Sequence, residues 1–204
     1  MKRFIYLISP QKVIEFDFYK NLDNVLKNNK VKYFQLRIKQ ISSSKLIKIS
    51  KKIKNIVKKN NVKFLINDKP YVAKKIGADG CHIGQKDMDI NRARKILGKN
   101  KIIGVTCHNS KILALKAQNE GADYVAFGSF FKSSTKKTAF KANLQILRWA
   151  KKKINIPTVA IGGINSSNYK KILLNGADFI ACSNYIWNSK KLDPVSAINK
   201  FKKK

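Results

Sequence analysis

The tripeptide Gly-Ala-Asp occurs three times in this 204-residue chain, at Gly77-Ala78-Asp79, Gly121-Ala122-Asp123 and Gly176-Ala177-Asp178. Each copy follows a stretch of helical period and precedes a short β-rich run. Glycine accommodates the left-handed conformation that ends many helices. Alanine lets the turn approach a sheet closely. One connector used repeatedly implies a repeated helix–strand unit rather than a domain boundary. The candidate strands are Phe4–Ser9, Tyr33–Arg37, Lys63–Asn67, Gly80–Ile83, Lys101–Thr106, Tyr124–Gly128, Thr158–Gly162 and Phe179–Ser183. Several are nearly all apolar, as in parallel strands covered on both faces. Amphipathic stretches such as Ser44–Lys59, Asn109–Glu120 and Asn143–Lys153 lie between them. The expected fold is α/β, a (β/α)8 TIM barrel forming one compact domain over residues 1–204. An open doubly wound sheet is the alternative, but no Gly-x-Gly-x-x-Gly follows the first run.

Helix punctuation agrees. Ser166 or Ser167 can cap a helix ending near Asn175, and Asp193-Pro194 can open a last helix over Val195–Phe201. Asp89 is a cap candidate for the helix holding Arg92 and Arg94, which leaves Asp87 free. The three cysteines, Cys81, Cys107 and Cys182, form no CxxC pair or disulfide framework. The N-terminal apolar run ends at Pro10 and lacks a small-residue cleavage site. No segment reaches the ~20 apolar residues of a membrane span. The expected compartment is the reducing cytoplasm.

The formal charge of +33 raises a nucleic-acid reading. The lysines are spread along the whole chain, however, with abundant Asn and Ile, a mixture that an AT-biased genome produces. No helix-turn-helix, RNP or zinc-finger pattern interrupts them, so nucleic acid is not the expected partner. Such a field does attract anionic small molecules.

In a barrel the chemistry sits at the C-terminal ends of the strands. The second run ends Gln35-Leu36-Arg37-Ile38-Lys39, and alternation sends Gln35, Arg37 and Lys39 to one side, a set suited to a diphosphate or heterocycle or simply to solvent. The third closes on Asn67-Asp68, and Asp87 follows the fourth. Two aspartates on neighbouring strand ends can share Mg²⁺; either can instead cap a helix. The fifth ends Thr106-Cys107-His108. The sixth runs into a loop, Ser129 to Lys137, whose hydroxyls and lysines can hold an anion. Gly162-Gly163 after the seventh run and Ser183-Asn184 after the eighth lie where barrels usually bind phosphate.

These strand ends resemble the thiamine-phosphate synthase (thiamine monophosphate pyrophosphorylase) family over nearly the whole length. The matching stretches are Gln35–Lys39, Leu65–Asp68, Gly77–Gly80 with His82–Asp87, Gly104–Thr106, Gly121–Val125 with Phe127-Gly128, Ser134–Lys136, and Ala160–Ile164. The resemblance implies a Mg²⁺-dependent transferase. It would join 4-amino-2-methyl-5-(diphosphooxymethyl)pyrimidine to hydroxyethylthiazole phosphate, releasing thiamine phosphate and diphosphate. Carried over, Gln35, Arg37, Lys39 and Asn67 would hold the pyrimidine diphosphate, and Asp68 and Asp87 would bind Mg²⁺. Thr106 would lie near the pyrimidine; Ser133, Ser134, Thr135, Gly163, Ser183 and Asn184 would receive the thiazole phosphate, and Lys136 the diphosphate. Arg37, Lys39 and Lys136 would be catalytic, stabilising charge on the leaving oxygens.

Ile38 replaces a common acidic residue of the family, Lys132 a usual proline and Ser133 a usual threonine, and the hydrophobic–serine pair after the last strand reads Ser183-Asn184. Two rival readings stand beside this one. A thiazole tautomerase on a similar barrel would use His108 and need no Mg²⁺ set. A basic nucleic-acid-binding protein on an inactive barrel would cluster its lysines on one face. Membrane partners are not expected, and a homo-oligomer stays open.

Overall fold

The computed structural model describes residues 3–11, 15–132 and 140–202. Its strands are β1 (Ile5–Ile8), β2 (Val31–Leu36), β3 (Lys63–Asn67), β4 (Gly80–Ile83), β5 (Ile102–His108), β6 (Tyr124–Gly128), β7 (Thr158–Ile161) and β8 (Phe179–Cys182). Between them run α1 (Glu15–Leu26), α2 (Ser43–Lys59), α3 (Pro70–Ile76), α4 (Ile90–Leu97), α5 (Lys111–Asn119), α6 (Leu144–Lys153) and α7 (Tyr169–Leu174). Then α8 (Asn184–Trp187) and α9 (Pro194–Asn199) follow the last strand. Each strand pairs in parallel with the next, and β8 pairs with β1, closing a TIM barrel.

Strand alternation divides the apolar residues into two cores. Outward side chains such as Phe34, Phe64, Val125 and Ile180 pack under the helices. Inward ones, including Tyr6, Leu65, Tyr124, Val159 and Ala181, fill the lumen. The helices present matching stripes; α2 buries Leu46, Ile49, Ile53 and Val57. The three cysteines lie on the outward faces of β4, β5 and β8, free and buried. Exposed lysines lie on α2, α4, α5, α6 and α7, all around the barrel rather than on one face.

Three strands have the bounds expected from sequence: β3, β4 and β6. The other five end elsewhere, β1, β2, β7 and β8 one residue earlier and β5 two residues later, and two of these ends bear on the candidate site. β2 stops at Leu36, so the alternation that grouped Gln35, Arg37 and Lys39 does not extend through Lys39, which stands exposed. β5 runs on to His108 through a register shift, with His108 at a φ of 53°. The proposed cap at Ser166 or Ser167 is also corrected. The N-cap of α7 is Asn168, because Asn165 draws Ser167 into a local turn, accepting from its N–H at 2.8 Å. Asp89 and Asp193 do cap α4 and α9. The last helix stops at Asn199; Phe201 lies beyond it, buried edge-to-face against Tyr169 and Tyr185.

The Gly-Ala-Asp connectors do more than turn the chain. Gly77, Gly121 and Gly176 all have positive φ, as their position after a helix requires. The aspartates then clasp the preceding strand. Asp79 accepts from the N–H of Phe64, Asp123 from that of Ile103 and Asp178 from that of Thr158, each at 2.8 Å. The aspartate's own N–H donates to the carbonyl of the same residue in all three places. The repeat thus ties β4 to β3, β6 to β5 and β8 to β7 at the end of the barrel away from the strand C-termini. Asp178→Ala would leave the buried Thr158 N–H unpaired. A loss of about 2 kcal/mol is expected, read as a lower urea midpoint at constant slope.

Candidate active site

Closure brings the C-terminal ends of β2, β3, β4 and β5 to one rim, and the charged groups there are unusually arranged. The chain has 44 basic and 11 acidic residues, so an acid beside another acid is unexpected. Most of the acids have a structural partner: three clasp strands, two cap helices, and Asp23 holds Asn60 and Lys59. Asp68 and Asp87 face each other instead. Burial and the neighbouring Asp87 push the Asp68 carboxyl up to about 6, against the opposing pull of Arg37 and Asn67.

Local structure holds the pair in place. Asp68 takes a φ of 59° just past β3, and its N–H donates to the His82 carbonyl at 2.8 Å. The Asp87 carboxylate accepts from the Gly84 N–H at 2.8 Å, folding its turn back to the rim. Among the described residues no group of three or more His, Cys, Asp or Glu side chains gathers. Two carboxylates short of a cation fit a hard divalent ion that takes its other ligands from water and phosphate oxygens.

Beneath the rim lies a polar chain within the lumen. The Gln35 amide Nε2 donates to the Tyr6 hydroxyl at 3.0 Å, and the Tyr6 and Tyr124 hydroxyls meet at 2.7 Å. His82 Nδ1 lies 2.8 Å from the Tyr124 hydroxyl, and His82 Nε2 lies 2.8 Å from Thr106 Oγ1. Gln35 and Thr106, both expected at the site, therefore end one continuous network. Tyr6, Tyr124 and His82 had no expected role. Their signal was available: each sits at an inward position of its strand, where a polar tip needs a partner.

Burial, then the Arg37 charge, holds His82 down to about 4, so the ring is neutral at pH 7. Between pH 6.5 and about 4 the unfolded chain takes up a proton that the folded chain refuses. The His82 contribution to stability is thus complete above pH 6.5 and is lost as the pH drops through that window, while protonation of the raised Asp68 carboxyl acts in the opposite sense. The ring keeps partial exposure, so the loss from His82 alone between pH 7 and 4.5, read as the difference between wild type and His82→Gln, is expected to be about 2 kcal/mol. Urea unfolding of the wild type and His82→Gln at both pH values checks it. The variant should lack that component.

The remaining expected residues divide. Arg37 lies close enough to Asp68 to pull on its carboxyl, and its backbone N–H donates to Ser9 Oγ at 2.9 Å. Ser183 Oγ donates to the Ser9 carbonyl at 3.0 Å, and Asn184 begins α8. Gly163 has a φ of 61°, and a Cβ there would stand 2.4 Å from the Lys132 carbonyl. The structure thus supplies a packing reason for this glycine, the close crossing of the loop after β6. Ser133, Ser134, Thr135 and Lys136 lie outside the described residues. His108, the base a tautomerase would need, stacks on Phe140 with ring centroids 4.0 Å apart.

Comparison with known proteins bears on this rim. A family model described as thiamine monophosphate synthase matches residues 5–186. A thiamine-phosphate synthase from Pelagibacter ubique is 57% identical over 201 residues, 98% of this chain and 97% of that protein. One from Rhodospirillum centenum is 37% identical, covering 97% and 95%. A solved thiamine phosphate pyrophosphorylase from Pyrococcus furiosus superposes with a TM-score of 0.85 at 30% identity, covering 96% of this chain and 92% of that one. No helix among the described residues is long and apolar enough to cross a membrane. Matched along nearly its full length in sequence and in fold, the chain belongs to the thiamine monophosphate synthase family, transferases of thiamine biosynthesis.

Proposed function

We propose that this rim binds the aminopyrimidine diphosphate and hydroxyethylthiazole phosphate together and joins them. The observation that carries the reading is the Asp68–Asp87 pair beside Arg37 at the strand C-termini. In the reaction the C–O bond to diphosphate breaks, and the leaving group keeps the electron pair. The thiazole nitrogen then supplies its lone pair to the pyrimidinylmethyl carbon, forming a C–N bond and a thiazolium. No proton moves and no protein nucleophile is needed.

The side chains divide that work. Arg37 and Lys39, with Lys136 from the loop after β6, meet negative charge as it grows on the leaving oxygens. Asp68 and Asp87 would hold Mg²⁺, which supplies Lewis-acid stabilisation of the same oxygens when bound. Gln35, Asn67 and Thr106 orient the pyrimidine. Gly163, Ser183 and Asn184, with Ser133, Ser134 and Thr135, receive the thiazole phosphate. Holding the two rings side by side supplies much of the rate. The test mixes purified protein with both heterocycles, with and without Mg²⁺, and follows thiamine phosphate. Product that depends on the metal is expected; none at any metal concentration overturns the reading.

A further inference from the structure

The lumen network has a property that its single contacts do not reveal. Tyr6, Tyr124 and neutral His82 each own one proton to donate within it. A member that donates on one side must accept on the other, and a hydroxyl that accepted on both would leave its own buried proton without a partner, so all links point the same way. With Gln35 Nε2 donating to Tyr6, the sequence runs Tyr6 hydroxyl to Tyr124, Tyr124 hydroxyl to His82 Nδ1, and Nε2–H to Thr106 Oγ1. The Thr106 proton is then left to donate into the mouth, and the Gln35 carbonyl oxygen is left to accept. Reversal must turn every link at once. It also turns the amide of Gln35, which is 2% exposed, and changes the His82 tautomer. The two ends cannot adjust independently while the chain is whole.

We propose that Tyr6, Tyr124 and His82 are positioning residues that fix Thr106 as a donor and Gln35 as an acceptor, so that the site selects a 4-aminopyrimidine over its 4-oxo counterpart. A 4-aminopyrimidine offers a ring-nitrogen acceptor beside an amino donor. The 4-oxo ring reverses both, presenting N–H beside a carbonyl. A buried site built for one polarity rejects the other strongly, because mismatched groups are left unpaired. The inference deepens the proposed reaction and rests on Gln35 and Thr106 as pyrimidine contacts.

Tyr124→Phe cuts the chain in its middle and keeps the ring that stacks on His82. Tyr6→Phe cuts it at the neighbouring link. Binding of the 4-amino pyrimidine diphosphate and of its 4-oxo analogue is measured by calorimetry with Mg²⁺ for the wild type and both variants. KM for each substrate is measured alongside. The wild type should prefer the amino ring by about 100-fold. Either variant should lower that preference to about 10-fold and leave KM for the thiazole phosphate unchanged. A wild type that does not discriminate, or variants that keep the full preference, would overturn the proposal. So would a parallel rise in KM for the thiazole phosphate, which marks a merely structural effect. If Tyr124→Phe does not fold, Tyr6→Phe alone decides. Absent turnover by the wild type counts against the proposed reaction, whereas the binding preference reads the positioning role separately.

Discussion

Asp68→Asn is expected to lower Mg²⁺-dependent turnover by about a thousandfold or more while leaving the folded state at least as stable. The asparagine keeps the shape of the aspartate but removes one of two hard anionic donors. In the metal-free protein burial, and then the facing Asp87 carboxylate, raise the Asp68 carboxyl to about 6. Removing one of the two carboxylates therefore relieves strain instead of breaking a needed contact. Asp89→Asn is the control. It alters another acid near the rim in sequence, but one that caps α4 through the Arg92 N–H. Its metal dependence should be that of the wild type. Metal titrations of steady-state rate, with thermal melting of both variants, check the pair of outcomes. The same reasoning sets a pH limit. Below about pH 6 Asp68 takes a proton, and metal affinity should fall as it does. Undiminished turnover in Asp68→Asn would remove the metal assignment.

Gly104→Ala should cause a large loss of stability for a single added methyl group. Gly104 pairs with Tyr124 across β5 and β6, and a Cβ there would stand 1.7 Å from Tyr124 Cζ and 2.2 Å from its hydroxyl oxygen. The ring is 1% exposed and wedged against Tyr6 and Tyr33, so it has nowhere to move. Overpacking together with broken hydrogen bonds should cost about 4 kcal/mol, a fall of roughly 10 °C in melting temperature. The pyrimidine KM should rise with it. Adding Tyr124→Leu makes room for the methyl group and should recover part of the stability. It should not recover pyrimidine selection, since leucine carries no hydroxyl. Melting curves and substrate KM for the single and double variants separate the two effects. A Gly104→Ala protein as stable as the wild type would mean that the ring is not confined as described.

Much of this was legible in the residues. The apolar runs announced the strands because parallel strands are buried on both faces, and alternation with amphipathic segments announced the barrel. The Gly-Ala-Asp glycines announced their left-handed turns. Asp68 and Asp87 were readable because strand C-termini are where a barrel places its chemistry. Other features were not readable, for physical reasons. Nothing local to Asp178 says that it grips Thr158, a residue 20 positions earlier. Gly163 looked like a phosphate cradle, yet a crossing loop already requires its missing side chain. His82, one of two histidines in the chain, showed by its inward position on its strand that it needed a partner, but only closure set it between Tyr124 and Thr106.

Sequence by itself determined the barrel and the rim, because periodicity, turn chemistry and strand ends are encoded within short stretches of chain. Only the tertiary structure decided which polar groups share protons. Tyr6 and Tyr124 are 118 positions apart, and their hydroxyls meet only when the last strand closes on the first.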